Sequence, residues 1–218
     1  MLRLNPWRHF LDPQSRLMSL RNSANTGAFL IERMEQTRRS LQTSELPMRY
    51  DVVAGKISIK SVEAFLRELD SIAQSSNATI QAVDATKVAG RRHVDCAVRY
   101  AMRSFRDHRN IARDLGVEIL LYLSACRQIR KALEMGVHEG EMDVLLIVVG
   151  AKKSIVRAAT QLTSFIRSDP RVMEYDETKN APLMHAFKIT EQEIAAAGGH
   201  ARIPDLVRER LVLFDAFR

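Results

Sequence analysis

The sequence is poor in the features that announce chemistry. Only two cysteines, Cys96 and Cys126, occur in 218 residues, far apart and without CxxC or Cys/His ligand spacing. That leaves no basis for a disulfide framework or a zinc site and points to a reducing compartment. Cys96 falls among apolar helix positions and is expected as a small buried hydrophobe. The six histidines, His9, His93, His108, His138, His185 and His200, include no HExxH and no pair at metal spacing, and the chain has no GxSxG, P-loop or GxGxxG. No metal, no cofactor and no enzymatic activity are therefore expected. No apolar run approaches the roughly 20 residues of a membrane span, so a soluble, cytoplasmic protein is expected, and no internal repeat is present.

What the chain does have is positive charge. Its formal net charge is +7 and its pI near 9.7, a balance that favours an acidic partner, nucleic acid first among them. Arginine far outnumbers lysine, which suits bidentate contact to phosphate or carboxylate, although genome base composition gives the same bias. A hydrophobic content of 46% supports one full core and is short for two.

Residues 1–47 differ from the rest, with seven arginines, no lysine and four acids among Ser, Asn, Thr and Gln. Ala28 to Leu41 has loose helical periodicity. The composition matches an organellar transit peptide, but without an amphipathic face in its first twenty residues; an unstructured extension, or a start codon placed too far upstream, is the simpler reading. A folded domain is expected over residues 48–218.

Within that domain RYDVVAGKISI predicts a strand with a turn or bulge at Gly55. Ser61 precedes an amphipathic helix built on Val62, Phe65, Leu66, Leu69 and Ile72. TIQAVDA predicts a second strand. A long helix follows, with Val94, Ala97, Val98, Ala101, Met102 and Phe105 on one face and Arg99, Arg103 and Arg106 on the other, read most simply as solvated.

The stretch Asn110 to Gly136 organises the domain as two short helices. Leu115, Ile119, Leu120 and Leu123 mark the first; Ile129, Ala132 and Leu133 mark the second. Asn110 is expected as an N-cap, Ser124 as the cap of the second helix, and Gly136 as its left-handed terminator. DVLLIVVG predicts a mid-sheet strand covered on both faces. Ser154 to Ile166 has helical spacing, Val172 to Tyr175 is expected to pair at an edge, and LMHAFKI is expected as a further strand. Thr190 to Glu193 forms a capping box, Gly198-Gly199 ends its helix, and Ile203 to Phe217 makes the last helix. The expected fold is a single α/β domain, a mixed, largely antiparallel sheet of about four strands packed with helices.

From Val52 to Phe217 the chain resembles the small accessory subunit of the KEOPS complex, the PRPK-binding-protein family with its archaeal relatives. The resemblance is carried by QAVDATKVAGRRHVDCAVRYAMRSF, by NIARDLGVEILLYLSACRQIRKALEMGVHEGEMDVLLIVVG, and by HAFKITEQEI with the closing helix. It implies a noncatalytic subunit that supports threonylcarbamoyladenosine modification of tRNA, docks on the kinase-like ATPase of the complex and holds the 3′ CCA end of tRNA. It covers essentially everything after Met48 and rests on no catalytic signature.

The residues themselves allow several roles. Lys87, Arg91 and Arg92 cluster at a helix start, where positive charge opposes the macrodipole and invites a functional reason. Arg127 and Gln128 precede a second helix start, where Gln128 can contact a base edge and Arg127 a phosphate or an unstacked base; a structural salt bridge is the alternative for Arg127. These five are the candidate RNA-binding residues. The last helix carries more apolar area than one face needs, through Leu206, Val207, Leu211, Val212, Phe214 and Phe217. Leu206, Leu213, Phe214 and Phe217 are its candidate partner-binding residues, with an all-core helix as the alternative. Glu118, inside an apolar run, is expected to satisfy backbone donors or an arginine. Asp84, His93 and Glu118 converging as acid–base groups would make a small enzyme instead, and a module that activates the kinase-like subunit without binding RNA is the remaining alternative.

Overall fold

The computed structural model describes residues 49–217, and the expected extension over 1–47, with its helix from Ala28 to Leu41, lies outside them. The element that fixes the architecture is the strand Gly140–Gly150, here β3 of four. Its side chains alternate between two cores: Leu145, Ile147 and Val149 enter one, while Val144, Leu146 and Val148 enter the other. A strand apolar on both faces must lie between two layers, because either face left in water would forfeit roughly 25 cal/mol per Å² of apolar surface.

β1 (Arg49–Ile59) and β2 (Thr79–Asp84) flank it on either side, and the two-residue β4 (Arg167–Ser168) adds to β1. The order is β2-β3-β1-β4, with every described pairing antiparallel. Among the described residues eight α-helices surround this sheet. α1 (Val62–Ser76) and, after β3, α5 (Lys152–Leu162) fill the core that contains Val144. On the opposite face lie α2 (Arg91–Arg106), α3 (Leu115–Leu123), α6 (Asn180–Phe187) and α8 (Ile203–Ala216), with α4 (Ile129–Ala132) and α7 (Glu191–Ala197) beside them. Local chemistry sets these boundaries. Ser61 caps α1, the Thr190/Glu193 capping box opens α7, and Gly198 closes α7 in the left-handed region at φ 100°.

Several local expectations are corrected. β1 runs through Gly55 in continuous register, without turn or bulge. The glycine is required for another reason: a Cβ there would lie 2.4 Å from the carbonyl oxygen of Arg167 on the neighbouring β4. Gly55→Ala should therefore push β4 away and cost about 1–3 kcal/mol. Urea denaturation checks this, and an unchanged midpoint would mean that β4 gives way freely.

The expected strand over 183–189 is not extended: residues 183–187 are the second half of α6, Lys188 is its cap, and Ile189 follows it. Leu183 and Phe187, four residues apart, both bury on one side. Val172 to Tyr175 does not pair either; Pro170–Met173 coils into a 3₁₀ turn capped by Asp169, and the edge is Arg167–Ser168. Asp114, not Asn110, caps α3, its carboxylate accepting from Val117 N at 3.1 Å, while Asn110 donates to the Ala112 carbonyl. Ser124 ends α3 and donates back to Leu121 O instead of capping α4. Gly136 is extended, at φ −76° and ψ −176°, because a 3₁₀ turn over Leu133–Met135 finishes that helix. Cys96 is half-buried and packs against the edge of the core.

Candidate functional site

Three ionisable groups read as possible acid–base partners are each absorbed by separate structural duties. Glu118 is fully buried and accepts from Ile111 N at 3.1 Å, from Ala112 N at 2.8 Å and from Ser104 Oγ at 3.0 Å, so it organises the loop before α3. Asp84 ends β2 by accepting from the backbone and hydroxyl of Thr86, and it pairs with Lys87 at 3.2 Å. His93 is buried in α2. Its Nδ1 accepts from Ala89 N at 3.2 Å, which leaves Nε2 to donate to Leu123 O at 3.0 Å, so these bonds require the neutral Nε2–H tautomer.

Burial lowers the His93 pKa from an ordinary 6.5 to about 4. The unfolded chain therefore binds a proton that the folded chain refuses, and stability is lost as pH falls from about 6.5 toward 4, by about 3 kcal/mol over the whole window. Comparing His93→Gln with the wild type in urea at several pH values should show a flatter stability profile in the variant. Equal slopes would show that His93 does not carry this dependence.

The groups left for recognition gather in a cleft of about 1410 Å³ between the α3–α4 connection, α6 and the end of α8. Five cationic side chains line it, Lys87, Arg127, Lys131, Lys188 and Arg210, together with His138 and His185; Glu134 is the only acidic residue among the described residues of the lining. Leu213, Phe214 and Phe217 supply an apolar wall.

The cations are held in different ways. Lys87 Nζ is fixed between Asp84 and the Glu134 carbonyl, at 2.6 Å from the latter. Arg210 reaches Phe187 O and Glu193 Oε1. Arg127 donates to the Phe217 carbonyl and makes no ion pair with any described residue, so its guanidinium is not free. Lys131 and Lys188 are exposed and make no ion pair with any described residue. They are the cations most available to an incoming anion.

Of the five expected RNA-binding residues, the cleft brings together Lys87 and Arg127. Arg91, Arg92 and Gln128 are exposed but do not line it. Gln128 precedes a helix of only four residues and makes no side-chain cap bond; one turn aligns too few peptide dipoles to hold an anion. Of the expected partner-binding residues, Leu213 and Phe217 are 45% and 75% exposed, with Val212 beside them at 47%. Phe214 is buried edge-on against Tyr122 at 5.1 Å, and Leu206 is half-buried against the core, so these two belong to the packing of α8. Lys131, Lys188 and Arg210 carry no signal in the sequence that sets them apart from other surface cations. Lys188 becomes visible only once its segment is known to be helical, since it caps α6 in the left-handed region at φ 53°.

Among the described residues there is no group of three or more His, Cys, Asp or Glu side chains able to hold a metal, and no helix long and apolar enough to cross a membrane. A search of curated proteins finds no match to the chain. A family described as kinase binding protein CGI-121 matches residues 58–213, from the end of β1 into the last turn of α8. On that match the chain belongs to the CGI-121 kinase-binding family, the family of the KEOPS accessory subunit.

Proposed function

We propose that this protein is a noncatalytic subunit of a KEOPS-type complex, one that docks on the kinase-like ATPase and holds the single-stranded 3′ CCA end of tRNA in the basic cleft. The observation that carries the RNA part is the cleft's make-up: five cations face one acid, beside the 75% exposed ring of Phe217. Single-stranded RNA is bound by this pairing of positive charge for the backbone with aromatic faces for unstacked bases. The noncatalytic part is supported by the separate structural bonds of Asp84, His93 and Glu118, which leave no converged acid–base set among them.

The test compares tRNA with and without its 3′ tail. Intact tRNA should bind the wild type more tightly, and Lys131→Gln/Lys188→Gln should remove that preference. Each lysine–phosphate pairing removed should flatten the log–log salt dependence by roughly 0.7 for a single strand. Equal binding of tailless tRNA would leave the module that activates the kinase without touching RNA as the better account.

A further inference from the structure

We infer that the exposed arginine face of α2 is a second nucleic-acid surface, one that follows the phosphates of double-stranded RNA. Arg92, Arg99, Arg103 and Arg106 are spaced by seven, four and three residues, which places them along one side of a helix with 3.6 residues per turn. The stripe is about 21 Å long at 1.5 Å per residue, far more than one anionic group needs. From Arg91 to Arg113 the chain carries seven arginines against two acids, Asp95 and Asp107. Most of the molecule's surplus charge therefore sits on this segment.

The acids offset the face only in part. Asp95 accepts from the Tyr50 hydroxyl, and Tyr50 is in turn hydrogen-bonded by Arg99. Asp107 pairs with its neighbour Arg106, whose side chain remains 73% exposed. Arg103 is held over the Tyr100 ring at 4.6 Å and pairs with Asp215. Arg92 has no ion pair with any described residue.

The chemistry of the stripe selects its occupant. All four cations are arginines, whose planar forks match phosphate oxygens. The large exposed apolar side chains of the described residues, Ile111, Val156, Val212, Leu213 and Phe217, all lie outside α2. The face thus offers charge without the stacking platforms that single strands use or the apolar wedge that a membrane surface requires. Duplex RNA is recognised through its backbone and shape, which calls for charge alone. The stripe also begins five residues after Lys87, which lines the cleft. A single strand held in the cleft could continue as a duplex along α2; only this continuity rests on the cleft reading.

Two probes separate the surfaces: a blunt-ended RNA duplex for α2 and a short single strand ending in CCA for the cleft. Arg99→Gln/Arg106→Gln should weaken duplex binding at least tenfold and flatten its salt slope by about 1.8, at about 0.9 per phosphate, while single-strand binding is unchanged. Arg106→Gln alone leaves the Arg99–Tyr50 contact in place and should flatten the slope by about 0.9. A wild type that binds no duplex overturns the proposal, as does a folded double variant with unaltered duplex affinity and slope. Loss of kinase copurification with duplex binding intact would instead assign the face to the protein partner. Duplex binding without single-strand binding would keep this surface and remove the cleft reading.

Discussion

Glu118→Ala should destabilise the domain by about 3–5 kcal/mol, because it leaves two backbone N–H groups and a hydroxyl without their buried acceptor, at about 1–3 kcal/mol for each unsatisfied group. The carboxylate is fully buried, and it accepts from two backbone N–H groups of the loop before α3 and from the Ser104 hydroxyl of α2. Alanine would leave these donors without that acceptor, and the methyl group would not fill the space. The loop it anchors leads into α3, whose Leu115, Ile119 and Leu123 are all buried in the larger core. Losing the anchor therefore loosens the packing between α2 and α3 as well. Ser104→Ala, which removes only one neutral donor, should cost about 1 kcal/mol. Urea denaturation of both variants tests the claim; a Glu118→Ala loss no larger than that of Ser104→Ala would show that the loop does not depend on the carboxylate.

That role is legible in the sequence because the physics allows few alternatives. A glutamate among Leu115, Ile119 and Leu120 has to be compensated inside the core, although only the structure shows that its backbone donors, Ile111 and Ala112, lie in the loop ahead of its helix. DVLLIVVG is legible for a similar reason: a continuous apolar strand has no solvent face and must be central. LMHAFKI is not legible. Leu183, Phe187 and Ile189 satisfy strand alternation, while Leu183, Met184 and Phe187 satisfy a helical turn, and a seven-residue apolar run cannot decide between the two periods.

Tertiary contact decides it. As α6, the segment sets Phe187 edge-on to His93 at 5.5 Å and sends Lys188 into the cleft. The ambiguity of that one segment hides much of the cleft from the sequence: Lys87 and Arg127 flank elements whose periodicity is clear, whereas Lys188 does not. Arg210 is hidden differently. It lies on the last helix, whose apolar residues point to docking, and only the structure shows that α8 presents one wall to the cleft and another to the core.

The exposed end of α8 yields the larger functional effect. Leu213→Glu and Phe217→Glu should each weaken binding to the kinase-like partner about a thousandfold, roughly 4 kcal/mol, because each puts a charge where an apolar side chain would be desolvated. Leu213 and Phe217 stand one helical turn apart and, with Val212, form an exposed apolar group at the end of α8. Neither side chain is part of the buried core, so both variants should fold, with melting temperatures close to that of the wild type. Val156→Glu is the control. Val156 is 59% exposed on α5, which packs against the opposite face of the sheet, and its substitution should leave the complex intact. Copurification and titration calorimetry provide the readout. Because Leu213 and Phe217 also line the cleft, both variants should be scored for single-stranded RNA as well. Loss of RNA with retention of the kinase would assign the end of α8 to the cleft alone, and retention of both would remove it from either surface.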